Sequence, residues 1–128
     1  RFIKLLTSSD AKVTDWVVKL AIIYEDDMPV NLCYEILRAK YRNSYENYDL
    51  IPNTNPIEYT IKLRPLVINV LKGRKLRLYI TSSDFPNHDR NHNTGNDFWD
   101  DFEFKIATQK IYHDLNYPSR LILPKIKN

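Results

Sequence analysis

Glycine and cysteine are scarce in this sequence, with two glycines and one cysteine among 128 residues. A single cysteine, Cys33, excludes an internal disulfide and a multi-cysteine zinc site, and it fits a reducing compartment. The two glycines, Gly73 and Gly95, leave no G-x-S-x-G frame, which is the strained turn that exposes a nucleophilic serine in many hydrolases. We therefore expect no complete nucleophilic site within the chain.

Long runs of one charge and long apolar runs are also absent. The 19 basic and 16 acidic residues are scattered, and the formal net charge is +3. Nucleic-acid-binding segments usually concentrate basic residues, and no such run occurs here. No apolar stretch approaches the roughly 18 residues of a membrane-spanning helix, and no signal peptide opens the sequence. We expect neither nucleic acid nor a membrane as a partner, and we expect a cytoplasmic location.

The length predicts a single domain over residues 1–128. Hydrophobic residues make up 43% of the chain, enough for a core without disulfides or structural metals. Because Arg1 is not an initiator methionine and already belongs to a strand pattern, we expect the sequence to be a piece of a longer polypeptide.

Apolar side chains recur with a period of two, which is typical of β-strands. The run DWVVKLAIIY (15–24) is apolar on both faces, as in a strand that is covered on both sides. Two further runs, 57–63 and 75–82, alternate more strictly. Shorter candidates lie at 2–8, 33–41, 66–71, 106–113 and 119–126, although 66–71 would also suit a short packed turn. About eight short strands with long crossing loops predict an all-β fold, an antiparallel jelly-roll β-sandwich with Greek-key connections.

The polar loop SSDFPNHDRNHNTG (82–95) follows one of these strand patterns and contains almost no core-forming residues. Serine, asparagine and aspartate turn the chain by side-chain-to-backbone hydrogen bonds, and a glycine supplies the left-handed backbone conformation. We interpret the loop first as a rigid crossing between the two sheets and second as an interface with another domain. The residues to which we assign this structural or interface role are Asp15, Arg38, Asp84, Phe85, Pro86, Asp89, Arg90, Asn93 and Gly95.

Arg38 has apolar neighbours within a predicted strand, and a buried arginine requires a carboxylate partner. Candidates for that partner are Asp15 and the loop residues Asp84 and Asp89. Our hypothesis is that Arg38 or Arg90 fixes the loop by a bidentate ion pair.

A calcium site is a third interpretation of the loop. Oxygen-bearing side chains recur at the ligand spacing of a calcium-binding loop; they are Asp89, Asn91, Asn93, Asp97 and Asp100. The pattern departs from that loop because Thr94 occupies the sharp-turn position and an aspartate replaces the bidentate glutamate at position 12. We rank calcium last and expect no metal or cofactor.

Aromatic residues are plentiful, with nine tyrosines, five phenylalanines and two tryptophans. Exposed aromatic rings beside Asp, Asn and Arg can hold sugars; the candidate rings are Tyr41, Tyr45 and Tyr48, or Phe98, Trp99 and Phe102. Tyrosine suits strands and interface rims equally well. A stand-alone carbohydrate- or ligand-binding sandwich is therefore the alternative function.

Four segments of the sequence resemble the C-terminal domain of the CocE/NonD hydrolases, a family that includes X-Pro dipeptidyl-peptidases. In chain order they are TSSDAKVTDWVVKL, EILRAKYR, SSDFPNHDRNHNTG and YHDLNYPSRLILPKI, and the resemblance extends over roughly residues 3–126. It implies a galactose-binding-like jelly roll, and it implies that the chain ends near the natural C terminus.

The resemblance also implies a parent serine hydrolase that acts on esters, amides or X-Pro peptides. Its catalytic residues would lie on an α/β-hydrolase domain, with none of them within residues 1–128. The present domain would pack on that catalytic domain of the same polypeptide and wall the substrate cleft. A domain separated from such a partner would expose an apolar patch, which could promote a homo-oligomer.

Overall fold

The structure is a computed structural model that describes residues 1–125, and it consists of two antiparallel β-sheets that pack as a sandwich. The strands are β1 (Phe2–Ser9), β2 (Asp15–Ile23), β3 (Pro29–Arg38), β4 (Ile57–Lys62), β5 (Lys75–Thr81), β6 (Gln109–Tyr112) and β7 (Arg120–Ile122). A single 3-10 turn, Ala39–Tyr41, is the one helical element within these residues. The prediction of an all-β sandwich is confirmed. None of the helical structure in residues 1–125 could span a membrane.

Each sheet is organised around one central strand. In the first sheet β1 pairs with β4 on one side, while β6 and β7 pair with successive halves of β1 on the other. In the second sheet β2 lies between β3 and β5. The β2–β3 pairing contains an irregularity between Leu20 and Ala21, where the register shifts by one residue.

The core lies between the sheets and is built from the alternating positions of the central strands. Trp16, Val18 and Leu20 of β2 belong to one buried cluster with the inward side chains of β1 and β4. The ring of Trp16 lies 6.0 Å from that of Tyr59 in β4. Burial of each such large side chain contributes about 1.5–3 kcal/mol. Val17 on the opposite face of β2 is fully buried too, as expected for a strand covered on both sides.

Several predicted strand boundaries were wrong. Seven strands rather than eight form within residues 1–125, because 66–71 has no strand partner there. The strand predicted at 33–41 starts earlier, at Pro29, and ends where the 3-10 turn begins, and the one at 106–113 shortens to Gln109–Tyr112. Of the predicted 119–126 only Arg120–Ile122 is a strand, and Ile126 lies outside the described residues. The alternation of apolar and polar side chains shows only which faces they occupy. A strand also needs a neighbouring strand to which its backbone can hydrogen bond, so its ends cannot be read from the alternation alone.

Candidate functional site

The polar loop belongs to a long connection between β5 and β6, which we call the crossing loop (residues 82–108). It contains no regular strand or helix. It is tied to the turn between β1 and β2 at Asp10, whose backbone N–H donates to the Thr108 carbonyl and whose carboxylate accepts from the Thr108 N–H at 2.8 Å. Three carboxylates then anchor the rest of the loop.

The first anchor is Asp15, the first residue of β2, whose side chain is only 2% exposed. Arg38, the last residue of β3, donates to both of its carboxylate oxygens, from Nε at 2.9 Å and from Nη2 at 3.1 Å. Asn91 of the crossing loop donates from Nδ2 to Asp15 Oδ1 at 2.7 Å. The hydrogen bond with Asp15 raises the pKa of Arg38 above its ordinary value. The buried carboxylate of Asp15 thus joins the ends of two strands through the bidentate pair that we hypothesised for Arg38. It holds the loop through its hydrogen bond with Asn91.

The second anchor is Asp84, which is buried at the start of the crossing loop. Lys19 of β2 donates to its Oδ1 at 2.5 Å, and His88 Nδ1 lies 3.3 Å from its Oδ2. The hydrogen bond from Lys19, supported by those of His88 and Asn87, holds the pKa of Asp84 below its usual value. Asp84 is therefore paired with a lysine and not with either of the arginines that we considered.

Arg90 does not take part in an ion pair within residues 1–125. Its guanidinium lies over the ring of Phe104, 5.2 Å from the ring centre, in a cation–π arrangement. Asp89 is exposed, and its charge contributes weakly to raising the pKa of Arg38. The part of the hypothesis that assigned a bidentate pair to Arg90 was wrong.

The third anchor is Asp101, which the sequence analysis overlooked. It accepts hydrogen bonds from the Thr94 hydroxyl and, at 3.1 Å, from the Glu103 backbone N–H. His92 Nδ1 lies 3.7 Å from its Oδ2. These contacts, that of Thr94 foremost, lower the pKa of Asp101. Lys19 was overlooked as well, although a lysine between the apolar residues of β2 was a detectable sign of a buried carboxylate partner.

Gly95 has the left-handed backbone conformation that we predicted for the glycine of this loop. Its φ is +90°, in the left-handed region, and a Cβ there would lie 3.3 Å from both Leu50 Cδ2 and Lys12 Cβ. Asn93 also has a positive φ, 64°, a conformation that asparagine tolerates better than most residues. The loop therefore passes close to two neighbouring segments at a point where only glycine fits without strain.

The predicted calcium ligands use part of their polar groups within the protein. Asn91 Oδ1 accepts from the Asn93 backbone N–H, and Asn93 Nδ2 donates to the Lys105 carbonyl, each at 2.9 Å. Asp97 and Asp100 are exposed. Among residues 1–125 no three His, Cys, Asp or Glu side chains come together as metal ligands would. Asn91 thus caps its own turn, and Asn93 ties this turn to a later part of the loop.

Both predicted aromatic groups combine ring–ring contacts with exposed rings. Tyr41 packs against Tyr45 and Tyr48, with ring centres 6.0 and 6.4 Å apart, beside the ammonium group of Lys40. In the crossing loop, Phe98 packs edge-on against Trp99 with ring centres 5.5 Å apart, and Trp99 is 85% exposed, much as Tyr45 is at 82%. A cavity of about 290 Å³ separates the two groups, and acidic and basic side chains line it as well.

Serine side chains in the described part of the chain shape the backbone. The Ser83 hydroxyl accepts from the Phe85 N–H, and that of Ser119 contacts the backbone of Leu6 in β1. Ser8 is hydrogen bonded to the Tyr112 hydroxyl. Within residues 1–125 no serine is hydrogen bonded to a histidine.

Comparison with known proteins identifies relatives that are much longer than this chain. The family model described as "X-Pro dipeptidyl-peptidase C-terminal non-catalytic domain" matches residues 2–122. Cocaine esterase of Rhodococcus sp. (strain MB1 Bresler) is 32% identical over 126 residues, which are 97% of this chain and 22% of that protein.

Solved structures give the same picture. An alpha-amino acid ester hydrolase superposes with a TM-score of 0.85 at 25% identity, covering 92% of this chain and 21% of the other. An aminopeptidase from the marine sediment archaeon Thaumarchaeota archaeon superposes with a TM-score of 0.80 at 26% identity, with the same coverage. The chain thus spans about one fifth of the length of these relatives.

Proposed function

The chain belongs to the family of X-Pro dipeptidyl-peptidase C-terminal non-catalytic domains, within the CocE/NonD hydrolases, and from this premise we propose that it supports the catalytic domain of a longer serine hydrolase. The partner is an α/β-hydrolase domain of the same polypeptide, and the sandwich forms one wall of its substrate cleft. The family match over residues 2–122 carries this proposal. The alternative of a stand-alone sugar-binding module is not favoured, because the relatives are named as hydrolases or peptidases.

The anchored crossing loop supports this role. Asp15, Asp84 and Asp101 hold it by buried side chains, so its exposed residues are presented on a preorganised frame. A wall of a binding cleft requires such a frame, because a misplaced wall weakens selectivity between substrates. The loop offers several exposed apolar side chains to a neighbour, among them Phe85, Trp99, Phe102 and Ile106, which are 67%, 85%, 90% and 92% exposed.

We extend the proposal to substrate class and location. The substrate is an ester, an amide or an X-Pro peptide, in line with the names of the relatives. The location is cytoplasmic, in line with the single cysteine, Cys33, which has no disulfide partner within the chain.

The test compares the intact protein with residues 1–128 alone. Both are assayed with p-nitrophenyl esters and with an X-Pro p-nitroanilide. We expect turnover by the intact protein that a serine-directed inhibitor abolishes, and none by residues 1–128. Inhibitor-sensitive turnover by residues 1–128, or an intact reading frame without a G-x-S-x-G motif, would contradict the proposal.

A further inference from the structure

The connection between β4 and β5 contains the sequence LVINVL, which we call the apolar segment (residues 66–71). Five of its six residues are aliphatic. Val67 is 86% exposed and Leu71 58%, while Ile68 and Val70 are about two-fifths exposed at 40% and 39%. Aliphatic side chains therefore reach solvent at both odd- and even-numbered positions of the segment.

The backbone N–H groups of the apolar segment also lack hydrogen-bond acceptors within residues 1–125. No backbone N–H of residues 66–71 donates a hydrogen bond to another group within residues 1–125, and no strand pairs with the segment there. Within residues 1–125 its one backbone bond closes the following turn, where the Leu71 carbonyl accepts from the Arg74 N–H. Free backbone groups beside aliphatic side chains are the features of an edge to which another strand can be added.

Such a sequence is typical of a strand that is buried on both faces. Exposing aliphatic area costs about 25 cal/mol per Å², and unpaired apolar edges promote aggregation unless they are covered. The sandwich core does not include these residues. The segment is therefore best explained by a cover that lies outside residues 1–125.

The position of Arg1 indicates where that cover comes from. The Leu63 N–H donates to the Arg1 carbonyl at 3.3 Å, and Arg1 Nη1 donates to the Arg64 carbonyl at 3.5 Å. Polypeptide that precedes Arg1 would therefore begin beside the start of the apolar segment. The matching family model is that of a C-terminal domain, and the chain spans only 22% of the cocaine esterase of Rhodococcus sp., so proteins of this kind have ample polypeptide before this domain.

Charge argues against a second copy of this chain as the cover. Basic residues flank the segment on both sides, with Arg64, which is paired with Glu35, before it and Lys72, Arg74 and Lys75 after it. Two copies facing each other would bring these cations together, which is unfavourable. The basic residues on both sides of the segment instead suit a partner strand that is aliphatic in its middle and acidic at its ends.

We propose that the polypeptide preceding Arg1 lies along the apolar segment, burying Val67 and Leu71 and accepting hydrogen bonds from its backbone N–H groups. This inference rests on the proposed function only in requiring a longer polypeptide. It identifies residues 66–71, in addition to the crossing loop, as a contact between this domain and the rest of the protein.

Hydrogen–deuterium exchange of the intact protein tests the proposal. We expect the amides of residues 66–71 to exchange at least about 100-fold more slowly than an unstructured peptide of the same sequence. Exchange near the unstructured rate would overturn the proposal. Protection that is lost on dilution, together with a dimer in sedimentation, would overturn it in favour of a second copy.

A pair of variants of the intact protein sharpens the test. The double variant Val67→Asp/Leu71→Asp should accelerate exchange at 66–71 at least about tenfold, because carboxylates cannot remain in an apolar contact. Leu115→Asp is the control, since Leu115 is 99% exposed in another turn and its change should leave exchange at 66–71 unaltered. An equal response to both changes would contradict the proposal, and if the double variant does not fold, exchange of the unaltered protein decides.

Failure of this inference and failure of the proposed function give different results. An active, inhibitor-sensitive hydrolase whose residues 66–71 exchange freely would refute only the contact. An intact protein without hydrolase activity whose residues 66–71 are protected would refute only the proposed function.

Discussion

The carboxylate of Asp15 depends on one arginine for its charge compensation. It is 2% exposed and accepts both bonds of the Arg38 guanidinium. We expect Arg38→Met to lower the free energy of unfolding by about 3 kcal/mol, because removing one partner of a buried ion pair leaves an uncompensated charge. Chemical denaturation at neutral pH measures this loss.

A surface pair provides the matched control for that change. Arg64 donates to Glu35 at 2.9 Å, but its side chain is 67% exposed. Arg64→Met should therefore cost about 0–1 kcal/mol, as exposed ion pairs usually do. If Arg38→Met and Arg64→Met proved equally mild, Asp15 would not be the anchor described above.

Among the connecting elements, the two turns that contain glycine differ in their surroundings but not in their backbone. Gly73 and Gly95 have φ values of +88° and +90°. A Cβ at Gly73 would meet nothing within 4 Å, whereas one at Gly95 would lie 3.3 Å from two neighbouring side-chain atoms. Gly73→Ala should thus cost about 1 kcal/mol from backbone strain alone.

Gly95→Ala should cost the same strain plus the displacement of Leu50 and Lys12. We therefore expect it to destabilise the chain by about 1 kcal/mol more than Gly73→Ala does, and thermal unfolding of the two variants makes the comparison. Equal losses would show that the crossing loop has room at this point, contrary to the close approach in the structure.

Strands were predictable where the residues with alternating side chains also pair with a neighbouring strand. The period of two located β1, β2, β4 and β5 within about two residues. For 66–71 the sequence left a strand and a short packed turn open, because a side-chain pattern carries no information on whether a neighbouring backbone is present. The early start of β3 was missed for another reason: Pro29 suggests a turn, yet proline is allowed at the first position of a strand.

The anchors of the crossing loop were predictable only in part. Arg38 was identifiable because an arginine among aliphatic residues demands a carboxylate, and Asp15 was among the candidates. The pairing of Asp84 with Lys19 depends on β5 lying beside β2, which no local pattern reveals. Asp101 lies in an acidic, aromatic stretch where nothing distinguishes the buried carboxylate from its exposed neighbours.

For the molecule as a whole, the core is well packed while the connections carry the exposed apolar surface. The side chains between the sheets are almost fully buried, as Trp16 illustrates. In contrast, Val67 in one connection and Trp99, Phe102 and Ile106 in another are at least 85% exposed. An apolar patch was expected for a domain separated from a partner, and the structure contains such surface. The self-association that it could promote stays a prediction.

The stability of the whole chain should depend on acid pH through its anchoring carboxylates. Contacts in the folded state lower the pKa of Asp84 and Asp101, and also that of Asp10. An aspartate in the unfolded chain titrates near pH 4. A group whose pKa is lower in the folded state contributes stability above that unfolded value and loses it as the pH falls through the folded one. The free energy of unfolding should therefore fall as the pH is lowered below about 4.

Two substitutions at one anchor assign part of this dependence. Asp84→Asn and Lys19→Met each break the bond that chiefly lowers the pKa of Asp84, so each should be less stable than the unaltered chain at pH 7. That difference should shrink as the pH falls toward 2 and the carboxylate of the unaltered chain takes up a proton. Denaturation of the single and double variants at both pH values measures the coupling between the two residues. If the losses of the two single variants add up fully in the double variant, or if they stay constant with pH, the ion pair between Lys19 and Asp84 does not stabilise the fold.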